Sequence, residues 1–91
     1  MTEPLTPEGK LDLSAIPALH QALLSQLGQD IVLDLGHVTQ MGALCLQTCL
    51  AAAKDTRAAG QSFEIVNVPE VVEAQICSMG LTIEKLAEGT L

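Results

Sequence analysis

The stretch that decides the fold is Gly28-Gln29-Asp30-Ile31-Val32-Leu33-Asp34-Leu35-Gly36. Four of its central residues are aliphatic, two of them β-branched, and a glycine bounds each end. A short, nearly continuous apolar run of this kind suits a central strand buried on both faces, the pattern of a parallel sheet covered by helices. What flanks it agrees. On the N-terminal side, Ile16, Leu19, Leu23 and Leu27 recur at helical spacing. Ser14 is the expected N-cap, Pro17 falls within the first turn, and Gly28 stands where a helix-ending glycine belongs. On the C-terminal side, residues 36–41 read as a loop and residues 42–59 as a second helix stopped by Gly60. Residues 62–66, Ser-Phe-Glu-Ile-Val, read as the next strand. Pro69 opens a third helix that ends near Met79 with Gly80 as its cap.

Further out the signals weaken. Pro4 and Pro7 limit the N-terminal segment to a short edge strand around Leu5 and Thr6. Residues 10–13 read as a short strand or turn, residues 81–83 as a last short strand, and residues 84–91 are ambiguous. Strands alternating with helices imply an α/β layer structure with parallel pairing. The expectation is a small mixed or parallel sheet of about four strands, near Leu5, Leu11, 31–35 and 62–66, with three helices packed against it. With 91 residues, the chain is read as a single domain over 1–91.

Composition narrows the function. Four Lys+Arg stand against 11 Asp+Glu, a net charge of −7, and the only aromatic residue is Phe63. A nucleic-acid binder neutralises phosphates with a basic stripe and stacks bases on aromatic rings, and neither resource is present. Cys45, Cys49 and Cys77 are an odd number and read as small buried side chains in a reducing compartment. The start of the chain lacks the pattern of a signal peptide. The longest apolar stretch, residues 41–53, is too short to span a bilayer, so no membrane insertion is expected and the chain is read as cytoplasmic.

The order of elements resembles the STAS domain, the family that includes the bacterial anti-sigma factor antagonists. The resemblance rests on Gly9-x-Leu11-Asp12, a helix, Val32-Leu33-Asp34-Leu35-x-x-Val38, a glycine-bearing loop and helix, Gly60-x-x-Phe63-x-Ile65-Val66-Asn67-Val68, and a helix ending in Gly80-Leu81. It covers roughly residues 5 to 86. Each motif is weak alone; their order and spacing together carry the likeness. Family members hold an Asp-Ser-Ser-Gly or Asp-Thr-Gly-Gly signature at the start of the second helix, and its hydroxyl is phosphorylated by a partner kinase. Ungapped, the signature falls on Gly42-Ala43-Leu44-Cys45. Gly42 then takes the aspartate position and Ala43 that of the phosphoacceptor. A rival alignment puts Gln40 at the acceptor. Neither residue has a hydroxyl, so phosphorylation at the usual place is chemically impossible. The stretch Gly42-Ala43-Leu44-Cys45-Leu46-Gln47 is similar to that of divergent STAS proteins encoded beside bacterial chemotaxis kinases. The family's first strand and C-terminal helix look truncated, which would leave an edge open to a partner or a second copy.

The second helix is unusual in its own right. Leu46, Cys49, Leu50 and Ala53 form one apolar stripe, yet the opposite face holds Ala43, Leu44, Thr48, Ala51 and Ala52, with Gln47 the one long polar side chain. Charge begins only at Lys54. Either loops cover this second face, or it is an exposed docking patch. The docking reading names Thr39, Gln40, Met41, Gly42, Ala43, Leu44, Gln47 and Thr48 as partner-binding residues. The helix start also offers free N–H groups to an anion, against the simpler reading of solvation. Cys45 and Cys49, four apart, would supply two metal ligands with no second pair in view, so no metal or other cofactor is expected. Asp12 and Asp34 read as turn-capping residues at strand ends, His37 as a loop residue and His20 as polar-face. Thr39 is the one hydroxyl of the loop, either packed or a secondary phosphosite.

The expected function is therefore a non-catalytic, anti-sigma antagonist-like interaction module. Its expected partner is a histidine-kinase-like protein or an anti-sigma factor, with a homodimer also open. Two alternatives remain: a STAS subunit of a lipid transporter of the ABC type, and a nucleotide- or ligand-sensing domain.

Overall fold

The computed structural model describes residues 4–26 and 28–89. Two segments run side by side through the centre of the fold. Leu5 bridges Leu33 in parallel, and strand β1 (Glu8–Leu11) then pairs in parallel with strand β3 (His37–Met41). Strand β2 (Ile31–Asp34) precedes β3 and pairs on its other side with strand β4 (Phe63–Val66). The result is two two-stranded parallel sheets, β1-β3 and β2-β4, joined by the Leu5–Leu33 bridge. The α/β class, four strands and parallel pairing are as the sequence implies.

The fourth strand is not where the sequence placed it. Residues 36–41, read as a loop, contain β3, so His37, Thr39 and Gln40 are strand residues. Register explains why it was hidden. Gly9 faces Val38 but Lys10 faces Gln40, so Thr39 is an extra residue in β3. Such a bulge switches the alternation of faces. Val38 and Met41 are consequently both buried although three positions apart, a spacing that no regular strand pattern shows.

Four α-helices cover the sheets rather than three: α1 (Ile16–Leu24), α2 (Ala43–Ala58), α3 (Glu70–Ser78) and α4 (Ile83–Glu88). The helix N-cap expected of Ser14 is absent. Instead Asp12 accepts from the Ser14 N–H at 3.0 Å and from its hydroxyl at 2.6 Å, capping a 3-10 turn, Leu13–Ala15, that leads into α1. Pro17 lies in the first turn of α1, as expected. α1 closes on Ser25, earlier than the expected Gly28; Leu27 lies outside the described residues. The central strand is sealed on one face only: Ile31 and Leu33 are buried, whereas Val32 and Asp34 are half-buried.

Residues 81–83 do not form a strand. Leu81 turns into the core, and the Thr82 hydroxyl accepts from the Lys85 N–H at 3.1 Å, which starts α4. The C-terminal helix is thus present although short. Leu86 buries its side chain completely. Gly89 ends the helix at φ +75, so close to Lys54 that a Cβ would lie 2.6 Å from its main chain. Arg57, on α2, ties this region together by donating to the Ala87 carbonyl at 2.8 Å and to the Phe63 carbonyl at 3.4 Å.

Asp34 fastens the corner between β2 and β3. Its carboxylate accepts from the Gly36 N–H at 2.8 Å and from the Asn67 side-chain amide at 3.1 Å. Asn67 adopts the left-handed conformation, φ 55, that asparagine tolerates and most residues do not. The Gly36 N–H, then Asn67, then nearby His37 hold the Asp34 carboxyl below its ordinary 3.8.

Two outcomes are expected. Leu86→Ala empties a fully buried site and should cost about 2–4 kcal/mol in urea unfolding; a loss below about 0.5 kcal/mol would show that α4 does not dock. Asp34 has a lower pKa folded than unfolded, so its contribution is present above about pH 4 and is lost as pH falls through the folded value. Denaturation midpoints followed from pH 6 to pH 2.5 should show a shallower acid decline in Asp34→Asn. An unchanged decline would remove Asp34 from this role.

Candidate functional site

The site is built where β3 passes into α2. Gly42 is the residue before the helix, and its N–H donates to the Leu11 carbonyl at 2.8 Å. A Cβ on Gly42 would lie 2.8 Å from that same carbonyl oxygen, a backbone atom with no freedom to withdraw. Glycine is required here by close approach. One residue earlier, the Met41 N–H donates to the Gln75 side-chain oxygen of α3 at 2.7 Å. Three residues later, the Cys45 thiol donates to the Asp12 carbonyl at 3.3 Å. The helix start is thus pinned by three hydrogen bonds, two to residues 11–12 at the end of β1 and one to α3.

The faces of α2 divide as its sequence suggests. Cys45, Leu46, Cys49, Ala53 and Thr56 are buried, and Leu50 is half-buried. Thr56 satisfies its buried hydroxyl by donating to the Ala52 carbonyl at 2.7 Å. Ala43, Leu44, Gln47 and Ala51 are exposed, with Thr48 and Ala52 half-buried between the faces. Thr48 donates back to the Leu44 carbonyl at 2.8 Å, so its hydroxyl is engaged within the helix.

A groove of about 390 Å³ separates this face from α1. Leu44, Gln47, Thr48 and Ala51 line one wall, and Ile16 and Leu24 the other. His20 and Asp55 are also in its lining. A second, smaller hollow of about 310 Å³ lies between the start of α2 and the turn that carries Leu13. Leu44 belongs to both. Leu13, Leu24 and Leu44 are 69%, 50% and 50% exposed, three of the four most exposed large apolar side chains among the described residues. No loop among those residues covers the face.

The expected binding residues therefore separate. Ala43, Leu44, Gln47 and Thr48 form one continuous face. Thr39 and Gln40 are exposed on β3 but line neither hollow. Met41 is 3% exposed and packs in the core, apart from that face. Gly42 acts through its fit against Leu11. Sequence reasoning missed the α1 wall: Leu24 sits in a helix whose other leucines are core, and only the paired helices show that it faces out.

Burial, and then the Asp12 charge, push the Cys45 thiol up, and burial chiefly pushes Cys49 up to about 12. Both thiols therefore keep their protons near neutral pH and are poor nucleophiles. Among the described residues no three His, Cys, Asp or Glu side chains are grouped to hold a metal ion. Cys77, expected to be buried, is exposed on α3. No helix of the described residues is long and apolar enough to cross a membrane.

Gly42→Ala should cost about 1–3 kcal/mol in urea unfolding, because the methyl group forces Leu11 and the helix start apart. A neutral substitution would mean that the contact is slack.

No curated protein sequence matches the chain at a significant level. A family model described as the Mlab, STAS domain matches residues 4–87. That span takes in every strand and all but the last residue of α4, and the chain belongs to the STAS domain family.

Proposed function

We propose that this STAS domain is a non-catalytic docking module and that it binds a protein partner through the apolar face centred on Leu44. The observation that carries the reading is the position of Leu44, half-exposed and shared by the α1–α2 groove and the hollow beside Leu13. A largely apolar surface on a chain of net charge −7 is costly to leave in water and is the composition of an interface centre.

Ala43, in the first turn of α2 and exposed, stands at the aligned phosphoacceptor position. Without a hydroxyl it holds the face in one chemical state, so binding is not switched there. Thr39, exposed on β3, is the hydroxyl that a kinase would still reach. The expected partner remains a histidine-kinase-like protein or an anti-sigma factor. The ATPase of a lipid transporter is carried as the rival partner.

The test is capture of partners from a native lysate by the immobilised protein, identified by mass spectrometry, beside Leu44→Asp. Leu44 is half-exposed, so the variant should keep its melting temperature. It should lose at least about tenfold of the captured partner, as for the centre of an interface. Capture undiminished in Leu44→Asp would sink the assignment, and the captured protein's class decides between kinase, anti-sigma factor and transporter ATPase.

A further inference from the structure

The outer side of β4 is an open strand edge. The Ser62 and Val66 carbonyls accept from the Ile31 and Leu35 N–H groups at 2.9 and 3.1 Å. In a parallel pair the residues that face the neighbour alternate with those that face away. Residues 62, 64 and 66 therefore turn their main chain toward β2, and Phe63 and Ile65 turn theirs outward. Arg57 marks that direction, since its guanidinium reaches the Phe63 carbonyl from outside the sheet. Ile65 is left presenting both its N–H and its C=O. No further strand pairs with β4 among the described residues. The strand expected at residues 81–83 is instead the turn into α4.

A groove of about 380 Å³ runs along β4 beside α4. Ile65, Ile83 and Ala87 give it an apolar floor, and Glu64, Glu84 and Glu88 also line it. Its one cation, Arg57, is already engaged with the Ala87 and Phe63 carbonyls. The opposite edge of the fold differs. There the outer strand is β3, and its register step at Thr39 is a device that discourages strand addition. β4 has neither proline nor bulge.

We propose that the outer edge of β4 is a second docking site, distinct from the Leu44 face, which adds an extended segment of a partner protein with alternating aliphatic and Lys or Arg side chains. The aliphatic side chains cover the floor, the basic ones meet the three glutamates, and Ile65 supplies the main-chain hydrogen bonds. A second copy does not suit the edge. Pairing β4 with itself would set acidic rims against each other on chains of net charge −7.

The probe is a fluorescein-labelled octapeptide of alternating lysine and valine, titrated against the full chain by anisotropy and by amide exchange in NMR. Saturable binding is expected, with exchange of the Ile65 amide slowed about tenfold or more, as one new hydrogen bond allows. Ile65→Pro removes the outward N–H while sparing the bonds to β2, and should abolish binding. The triple reversal Glu64→Lys, Glu84→Lys, Glu88→Lys should weaken it at least about tenfold. Should Ile65→Pro fail to fold by circular dichroism, the charge reversal and the exchange rate decide. Equal binding of a glutamate–valine octapeptide, an Ile65 amide unmoved by the peptide, or no saturation by about 1 mM would each overturn the proposal. So would a dimer seen by light scattering that Ile65→Pro dissociates, because the edge would then belong to a second copy.

Discussion

The approach of Gly42 to the Leu11 carbonyl is the constraint around which the rest is arranged. It joins the end of the β1-β3 pair to the first turn of α2 with no side chain between them. The neighbouring anchors, Met41 to Gln75 and Cys45 to Asp12, come from α3 and from the segment after β1. Two parts of the chain distant in sequence, residues 11–12 and α3, thus fix one helix end. A surface held in this way loses little conformational freedom when it is covered, which favours association. The same tightness excludes a side chain at position 42.

Charge is distributed unevenly over the covering helices. α1 contains no Asp, Glu, Lys or Arg, and α2 has none before Lys54. Acidic residues gather instead on α3, β4 and α4, at Glu64, Glu70, Glu73, Glu84 and Glu88. The molecule therefore offers a largely apolar face on one pair of helices and an acidic rim at the edge of the second sheet. Surfaces so different in chemistry do not compete for one kind of ligand.

The sequence was legible where a pattern was regular and local. α2 could be read from its stripe and its glycine borders, and its second face from the absence of charge. β4 and α3 could be read from β-branched residues and from Pro69. β3 could not, because the bulge at Thr39 breaks the alternation that identifies a strand, and Gly36 beside it resembles the start of a loop. The final segment misled for another reason: Leu81, Thr82 and Ile83 favour a strand by composition, but the Thr82 hydroxyl serves as a helix cap. The α1 wall of the groove and the open edge of β4 were beyond reach altogether. One depends on how two helices meet, the other on a neighbour that is missing.

The three cysteines have one more consequence. Cys45 and Cys49 are shielded in the core and hold their protons, whereas Cys77 stands in solvent on α3, clear of both the α1–α2 groove and the β4 groove. A maleimide dye or spin label meets one reactive sulfur on the folded chain. The native sequence thus carries its own single attachment point, from which a reporter can watch either surface without occupying it.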